Sequence, residues 1–138
     1  MGDQLPFYYR AELRGRLGKD GREREPVVDG DTIDVLCDLG FDVRMQLRLR
    51  LMGINTPESR TRNRAEKVLG LAAKDFLKGV LVGADGIEFL SHEKGKYGRV
   101  LATLFVWGND GRVNVNELLV REGHARYYDG GAREPWVV

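Results

Sequence analysis

The sequence predicts an α+β domain that is mainly β, a small closed barrel of about five strands with two to three helices, and it reads as one domain over residues 1–138. Three observations carry this reading. Phe41 to Leu51 alternates apolar and polar residues, as a strand does. Ala65 to Val82 repeats apolar residues at helix spacing. Short β-branched or aromatic runs lie on either side, separated by glycine-bearing turns.

Taken in order, Phe7 to Leu13 is an aromatic, roughly alternating strand, and Gly18 to Pro26 is a polar surface loop. Val27-Val28 lead through Asp29-Gly30-Asp31-Thr32 into a β-branched strand, Ile33 to Cys37. Asp38-Leu39-Gly40 turns the chain into the long strand, making a hairpin. There Val43, Met45, Leu47, Leu49 and Leu51 share one face, and Arg44, Gln46, Arg48 and Arg50 the other. Gly53 to Glu58 ends it, and a basic loop follows with Arg60, Arg62 and Arg64. The helix places Val68, Leu69, Ala72, Ala73, Phe76, Leu77 and Val80 on its apolar stripe and stops at Gly83. Ile87 to Leu90 is a strand, Lys94 to Arg99 a turn, Val100 to Trp107 a strand and Gly108 to Gly111 a turn. Asn114 caps a helix from Val115 to Glu122, ended by Gly123, and the tail from Arg126 reads as irregular. Strand, hairpin, helix, two strands, helix is the order of a five-stranded OB-fold barrel.

At 138 residues, 42% of them apolar and 31% charged, the chain can bury a core without disulfide or zinc staples. Cys37 is the sole cysteine, so no internal disulfide forms, and a cytoplasmic, reducing home is the expectation, secretion being left open. Met1 to Pro6 lack the basic-then-apolar pattern of a leader, and no apolar run reaches the roughly 18 residues of a membrane span. A net charge of +1 does not itself argue for nucleic acid, but arginines outnumber lysines sixteen to six, and arginine offers a rigid, always-charged fork suited to phosphate oxygens. A plain compositional bias explains the same numbers equally well.

Polar residues at strand ends mark the candidate chemistry. Asp29 and Asp31 straddle Gly30, and Asp31 can ligate a hard cation such as Ca2+; a simple Asp-Gly turn is the plainer alternative. Arg50 leaves the polar face of its strand just before Asn55-Thr56-Pro57-Glu58. Pro57 stiffens that turn, which can offer the Thr56 carbonyl and the Asn55 side chain to a metal, with Glu58 beside a water. Alternatively, Thr56-Pro57-Glu58 is a helix N-cap. Tyr97-Gly98-Arg99 suits a base and a phosphate, or is an ordinary exposed hairpin. Together these groups supply what phosphodiester hydrolysis needs: a cation, a carboxylate to direct water and two arginines for the charge on phosphorus.

Order and spacing of Asp29–Thr32, Arg50–Glu58, Tyr97–Arg99 and Asn116–Gly123 make the chain resemble the staphylococcal nuclease, or thermonuclease, family from about Val27 to about Tyr128. The resemblance implies an OB-fold nuclease that cuts DNA and RNA, preferring single strands. It implies calcium held by Asp31 and the Thr56 carbonyl, Glu58 as general base, Arg50 and Arg99 on the scissile phosphate, Tyr97 beside the nucleotide and Asp29 near the metal. Asn55 departs from the pattern, where the archetype has aspartate; its amide oxygen can still ligate, with one negative charge fewer. Mg2+ or Mn2+ are then alternatives to Ca2+. Leu17 to Pro26 looks like an insertion, and the archetype's last helix gives way to Tyr127–Arg133, where Tyr128 and Arg133 either clamp a nucleotide or simply pack.

A catalytically silent OB module binding single strands is the runner-up, and a peptide-binding barrel ranks below it. The presence of Arg50, Glu58 and Arg99 favours the enzyme. His92 and His124 are expected to be surface or packing residues rather than zinc ligands, Trp107 and Trp136 packing residues, and Arg60, Arg62 and Arg64 either steer the substrate or are solvated. The expected partner is DNA or RNA, with no membrane and no obligate protein partner, for a monomer. The Gly53–Glu58 turn is expected to be partly mobile.

Overall fold

The structure, a computed structural model, describes residues 7–136. Its strands are β1 (Tyr8–Leu13), β2 (Val27–Asp29), β3 (Thr32–Asp38), β4 (Arg44–Leu51), β5 (Ile54–Asn55), β6 (Gly86–Lys94), β7 (Val100–Gly108), β8 (Gly111–Asn114) and β9 (Arg126–Tyr127), with helices α1 (Arg64–Val82) and α2 (Val115–Arg121). A single 3-10 turn at Lys96–Gly98 brings the helical segments to three. The reading of Met1 to Pro6 falls outside the described residues.

The strand order β1-β6-β7-β4-β3 returns to β1, because β1 also pairs with β3 through Ala11 opposite Cys37 and Leu13 opposite Val35. That extra pairing closes the barrel and leaves no free edge among these five strands. All pairs are antiparallel except β4 with β7, where Leu49 to Leu51 run beside Val100 to Ala102. Strand alternation sends Ile33, Val35, Leu49, Leu51, Phe89, Ala102 and Leu104 to the interior, where each is fully buried. The opposite face of β3 and β4 pairs Asp34 with Arg48 in a two-bond fork, Nε to Oδ1 at 2.8 Å and Nη2 to Oδ2 at 3.0 Å. One step along, Thr32 lies opposite Arg50.

The structure corrects the sequence reading at several elements. β4 begins at Arg44 rather than Phe41, because Phe41 and Asp42 sit in the left-handed region at φ 53° and 63° and form the turn itself. Val43 and Met45 are exposed, since this end of the hairpin projects past the barrel wall. In α1 the inward line is Gly70, Ala73, Leu77 and Leu81, while Val68 and Ala72 face solvent. Glycine carries no hydropathy signal, so Gly70 was invisible as a packing residue. A Cβ there would meet the Glu58 carbonyl oxygen at 2.4 Å. The helix therefore rides directly on the turn that precedes it.

The N-cap of α1 is Asn63, whose side chain accepts from Glu66 N, so Thr56 is not the cap. β6 runs four residues beyond Leu90, and the expected Gly108–Gly111 turn leads into β8, a strand that was not expected. Asn114 does cap α2, accepting from Glu117 N at 3.1 Å. The tail is not wholly irregular: β9 pairs with β5, Ile54 opposite Tyr127 and Asn55 opposite Arg126. Trp107 is 44% exposed rather than packed away. His92 hydrogen-bonds Thr103 Oγ1 at 2.7 Å and His124 stacks on Phe76, consistent with packing roles. Within the Gly53–Glu58 turn, Ile54 to Pro57 are buried and the two end residues are exposed.

Candidate active site

Three segments meet at one rim of the barrel. The Asp29–Thr32 turn joins β2 to β3, and Gly30 lets it close against its neighbours: a Cβ at Gly30 would stand 2.8 Å from the Ala73 side chain and 3.1 Å from Thr56 Cγ2. The Asn55–Ser59 turn wraps beside it, and the Arg99 end of β7 faces both. Asn116, on α2, locks the arrangement from below. Its amide donates to Met52 O at 2.9 Å and Ala102 O at 3.2 Å, and its oxygen accepts from Leu104 N at 3.0 Å. All three of its bonds reach backbone, two on β7 and one at Met52 just past β4, so it ties β7 to the segment leaving β4.

Asp31 is buried at the centre. Its Oδ1 accepts from Thr32 Oγ1 at 2.9 Å and its Oδ2 from Thr56 N at 3.1 Å. Arg50 Nη2 lies 3.4 Å from Oδ2, and Arg50 Nη1 donates to Leu51 O at 2.6 Å. These partners compensate the burial of the carboxylate. Burial pushes the Arg50 guanidinium below its ordinary value; Asp31 opposes that shift, while the charges of Arg99 and Arg133 add to it. Three arginines therefore share one field.

Asp29 Oδ1 accepts twice from Ser59, from the backbone N–H at 3.1 Å and from the hydroxyl at 2.5 Å. Glu58 is half exposed; its backbone N–H donates to Glu66 Oε2 at 2.9 Å, which fixes the turn to the first turn of α1. The Glu58 carboxylate accepts from Arg133 Nη1 at 2.9 Å, and Arg133 Nη2 donates a second, short bond to Asn55 Oδ1.

Asp29, Asp31, Thr32, Arg50, Thr56, Glu58, Arg99, Tyr128 and Arg133 line a single cavity of about 250 Å3. Seven of the nine candidate residues, Tyr128 among them, thus converge there. Asn55 instead lines a neighbouring cavity of about 460 Å3, which shares Tyr128 with the first. Tyr97 stands outside, 92% exposed, its ring centroid 5.7 Å from the Arg99 guanidinium carbon. The positioning roles of Ser59 and Asn116 were missed: Asn116 opens one of the blocks that carry the resemblance, but the partners of both lie far away in sequence. The Gly130-Gly131 pair was a cue that the tail turns back at Arg133.

Among the described residues, no three His, Cys, Asp or Glu side chains converge as a metal-holding group. The oxygens at the cavity are nonetheless those a hard divalent cation takes: the Asp31 carboxylate, the Thr56 backbone, and Thr56 Oγ1, which is buried with no hydrogen-bond partner.

A closed five-stranded OB barrel with carboxylates and arginines gathered at one rim defines the class. The chain belongs to the staphylococcal nuclease family: the family model described as staphylococcal nuclease homologue matches residues 48–135. It is 40% identical over 101 residues to a thermonuclease of Staphylococcus hyicus, covering 72% of this chain and 54% of that one. It is 41% identical over 101 residues to a thermonuclease of Staphylococcus intermedius, covering 72% and 55%. With protein ParB of Escherichia coli it shares 34% identity over 134 residues, 91% of this chain and 64% of that protein. The chain thus spans about half the length of the thermonucleases it matches.

Proposed function

We propose that this protein is a metal-dependent nuclease that hydrolyses phosphodiester bonds of DNA or RNA, preferring single strands, with Ca2+ as the working ion and Mg2+ or Mn2+ as alternatives. The observation that carries the reading is the single cavity that unites Asp31, Arg50, Glu58 and Arg99. A nucleic-acid strand is its partner and the monomer its working form, at a cytoplasmic location.

In this mechanism Asp31 and the Thr56 carbonyl would hold the cation, joined by Asn55 when its oxygen is free. Bound there, it would supply polarisation of the phosphate and a more acidic water. Arg50 and Arg99 donate to the non-bridging phosphate oxygens and stabilise the charge that grows there. Glu58 accepts a proton as the water oxygen bonds to phosphorus and one ester bond breaks. Asp29 holds Ser59, and with it the turn carrying Glu58. Tyr97 and Tyr128 offer ring faces to the flanking nucleotides.

The test is cleavage of single-stranded DNA and RNA with Ca2+, Mg2+, Mn2+ or EDTA, with Arg50→Ala run in parallel. Metal-dependent cutting lost in the variant supports the reading. Tight strand binding without cutting under any ion replaces it with an OB-fold binding module.

A further inference from the structure

The guanidinium of Arg133 bridges two oxygens of different kind, the Glu58 carboxylate and the Asn55 amide. Both are oxygens that the cation and the attacking water need in the mechanism above. An oxygen accepting from a guanidinium has that lone pair committed, and a fixed positive charge next to a divalent ion is repulsive. We propose that Arg133 is a built-in competitor of the divalent cation, occupying the Asn55 and Glu58 oxygens until the ion displaces it. The inference rests on the proposed cation site and names the residue that controls its occupancy.

The tail is built for such an exchange. Its base is fixed: β9 pairs with β5, Tyr128 N donates to Gly53 O at 2.8 Å, and the Arg126 guanidinium covers the Trp136 ring at 3.6 Å. The Tyr128 hydroxyl donates to Gly131 O, closing the turn at its neck. Arg133 is carried between these two anchors with its side chain 45% exposed. The guanidinium can therefore rotate into solvent while the backbone stays in place. The neutral side chain at position 55 keeps the grip reversible. A carboxylate there would set Arg133 between two negative charges and hold it harder.

The experiment is calorimetric titration of the full chain with Ca2+ alone, without nucleic acid. Arg133→Gln is expected to bind Ca2+ about tenfold more tightly than the wild type, the scale of one charge-assisted hydrogen bond released from a ligand oxygen. Arg133→Lys keeps the charge but cannot fork to two acceptors, and it is expected to fall between them. Wild-type affinity in Arg133→Gln overturns the proposal. So does an Arg133→Lys variant that matches the wild type, since charge alone would then explain the effect. Asp31→Asn separates this failure from that of the cation reading. Binding that Asp31→Asn abolishes but Arg133→Gln leaves unchanged removes only the competitor, whereas no Ca2+ binding by any variant removes both.

Discussion

Ser59 donates twice to the same oxygen of Asp29, through its backbone N–H at 3.1 Å and its hydroxyl at 2.5 Å. Asp29 is thereby a fastener between the β2–β3 turn and the residue that follows Glu58. Two carboxylates that look alike in sequence do different work: Asp31 faces Arg50, and Asp29 secures the neighbouring turn.

Ser59→Ala removes the shorter bond and leaves a carboxylate with one donor. It is expected to lower stability by about 1–3 kcal/mol, the range for a hydrogen bond to a charged group. Turnover should fall with it, because the turn carrying Glu58 loosens. Urea unfolding and cleavage kinetics on one preparation read both effects. An unchanged midpoint would mean that the backbone N–H alone holds Asp29.

Two glycines of the same helix should respond oppositely to alanine. At Gly70 a methyl group meets the Glu58 carbonyl oxygen at 2.4 Å, which is backbone and cannot swing away. Gly70→Ala should cost about 1–3 kcal/mol and shift the catalytic turn. At Gly79 nothing lies within 4 Å, so Gly79→Ala should stabilise by about 0.5–1 kcal/mol through helix propensity, with activity unchanged. Thermal melts of the pair decide it, and equal shifts in one direction would refute the packing account.

Arg50→Ala should reduce turnover by about 10²–10³, as for loss of one preorganised donor to a transition state. The fold should persist, since Asp31 keeps its bonds from Thr32 and Thr56. Circular dichroism matching the wild type, with cleavage slowed to that extent, is the expected pair of results. Wild-type turnover would remove Arg50 from the chemistry.

Cys37 gives a pH signature remote from the cavity. Burial, with the Asp38 carboxylate adding to it, pushes the thiol up from 9.0 to about 11. The folded chain then keeps this proton over a range in which the unfolded chain has lost it. Stability is therefore intact below pH 9 and falls between pH 9 and about 11, by at most about 1.4 kcal/mol per unit. Cys37→Ala should flatten that part of the stability–pH curve relative to the wild type. The same burial predicts slow labelling by thiol reagents at pH 8 until the chain unfolds.

What the sequence displays well is anything with a period or a spacing. The alternation of Leu47, Leu49 and Leu51 against Arg48 and Arg50 located the central strand, and the site residues converge because they lie at its end and at the turns beside it. Cross-chain geometry is what it conceals. Gly70 packs as tightly as any leucine yet scores as a gap in the helical stripe. β8 and β9 are too short to show alternation and exist only because β7 and β5 offer them backbone partners. The Arg133 contact spans the chain from tail to turn, so no local pattern encodes it. At Phe41 and Asp42 the apolar run misled, because turn geometry overrode strand propensity.

The pairing of β5 with β9 also fixes an order of assembly. Ile54 and Asn55 are made early, and Arg126 and Tyr127 more than half the chain later. A growing polypeptide can complete its hairpin and helix on the ribosome, yet the wall supplied by Tyr128 and Arg133 is missing until synthesis has passed them. The half-made protein therefore emerges with its cavity open on one side, and that side is walled only once Tyr128 and Arg133 have been added.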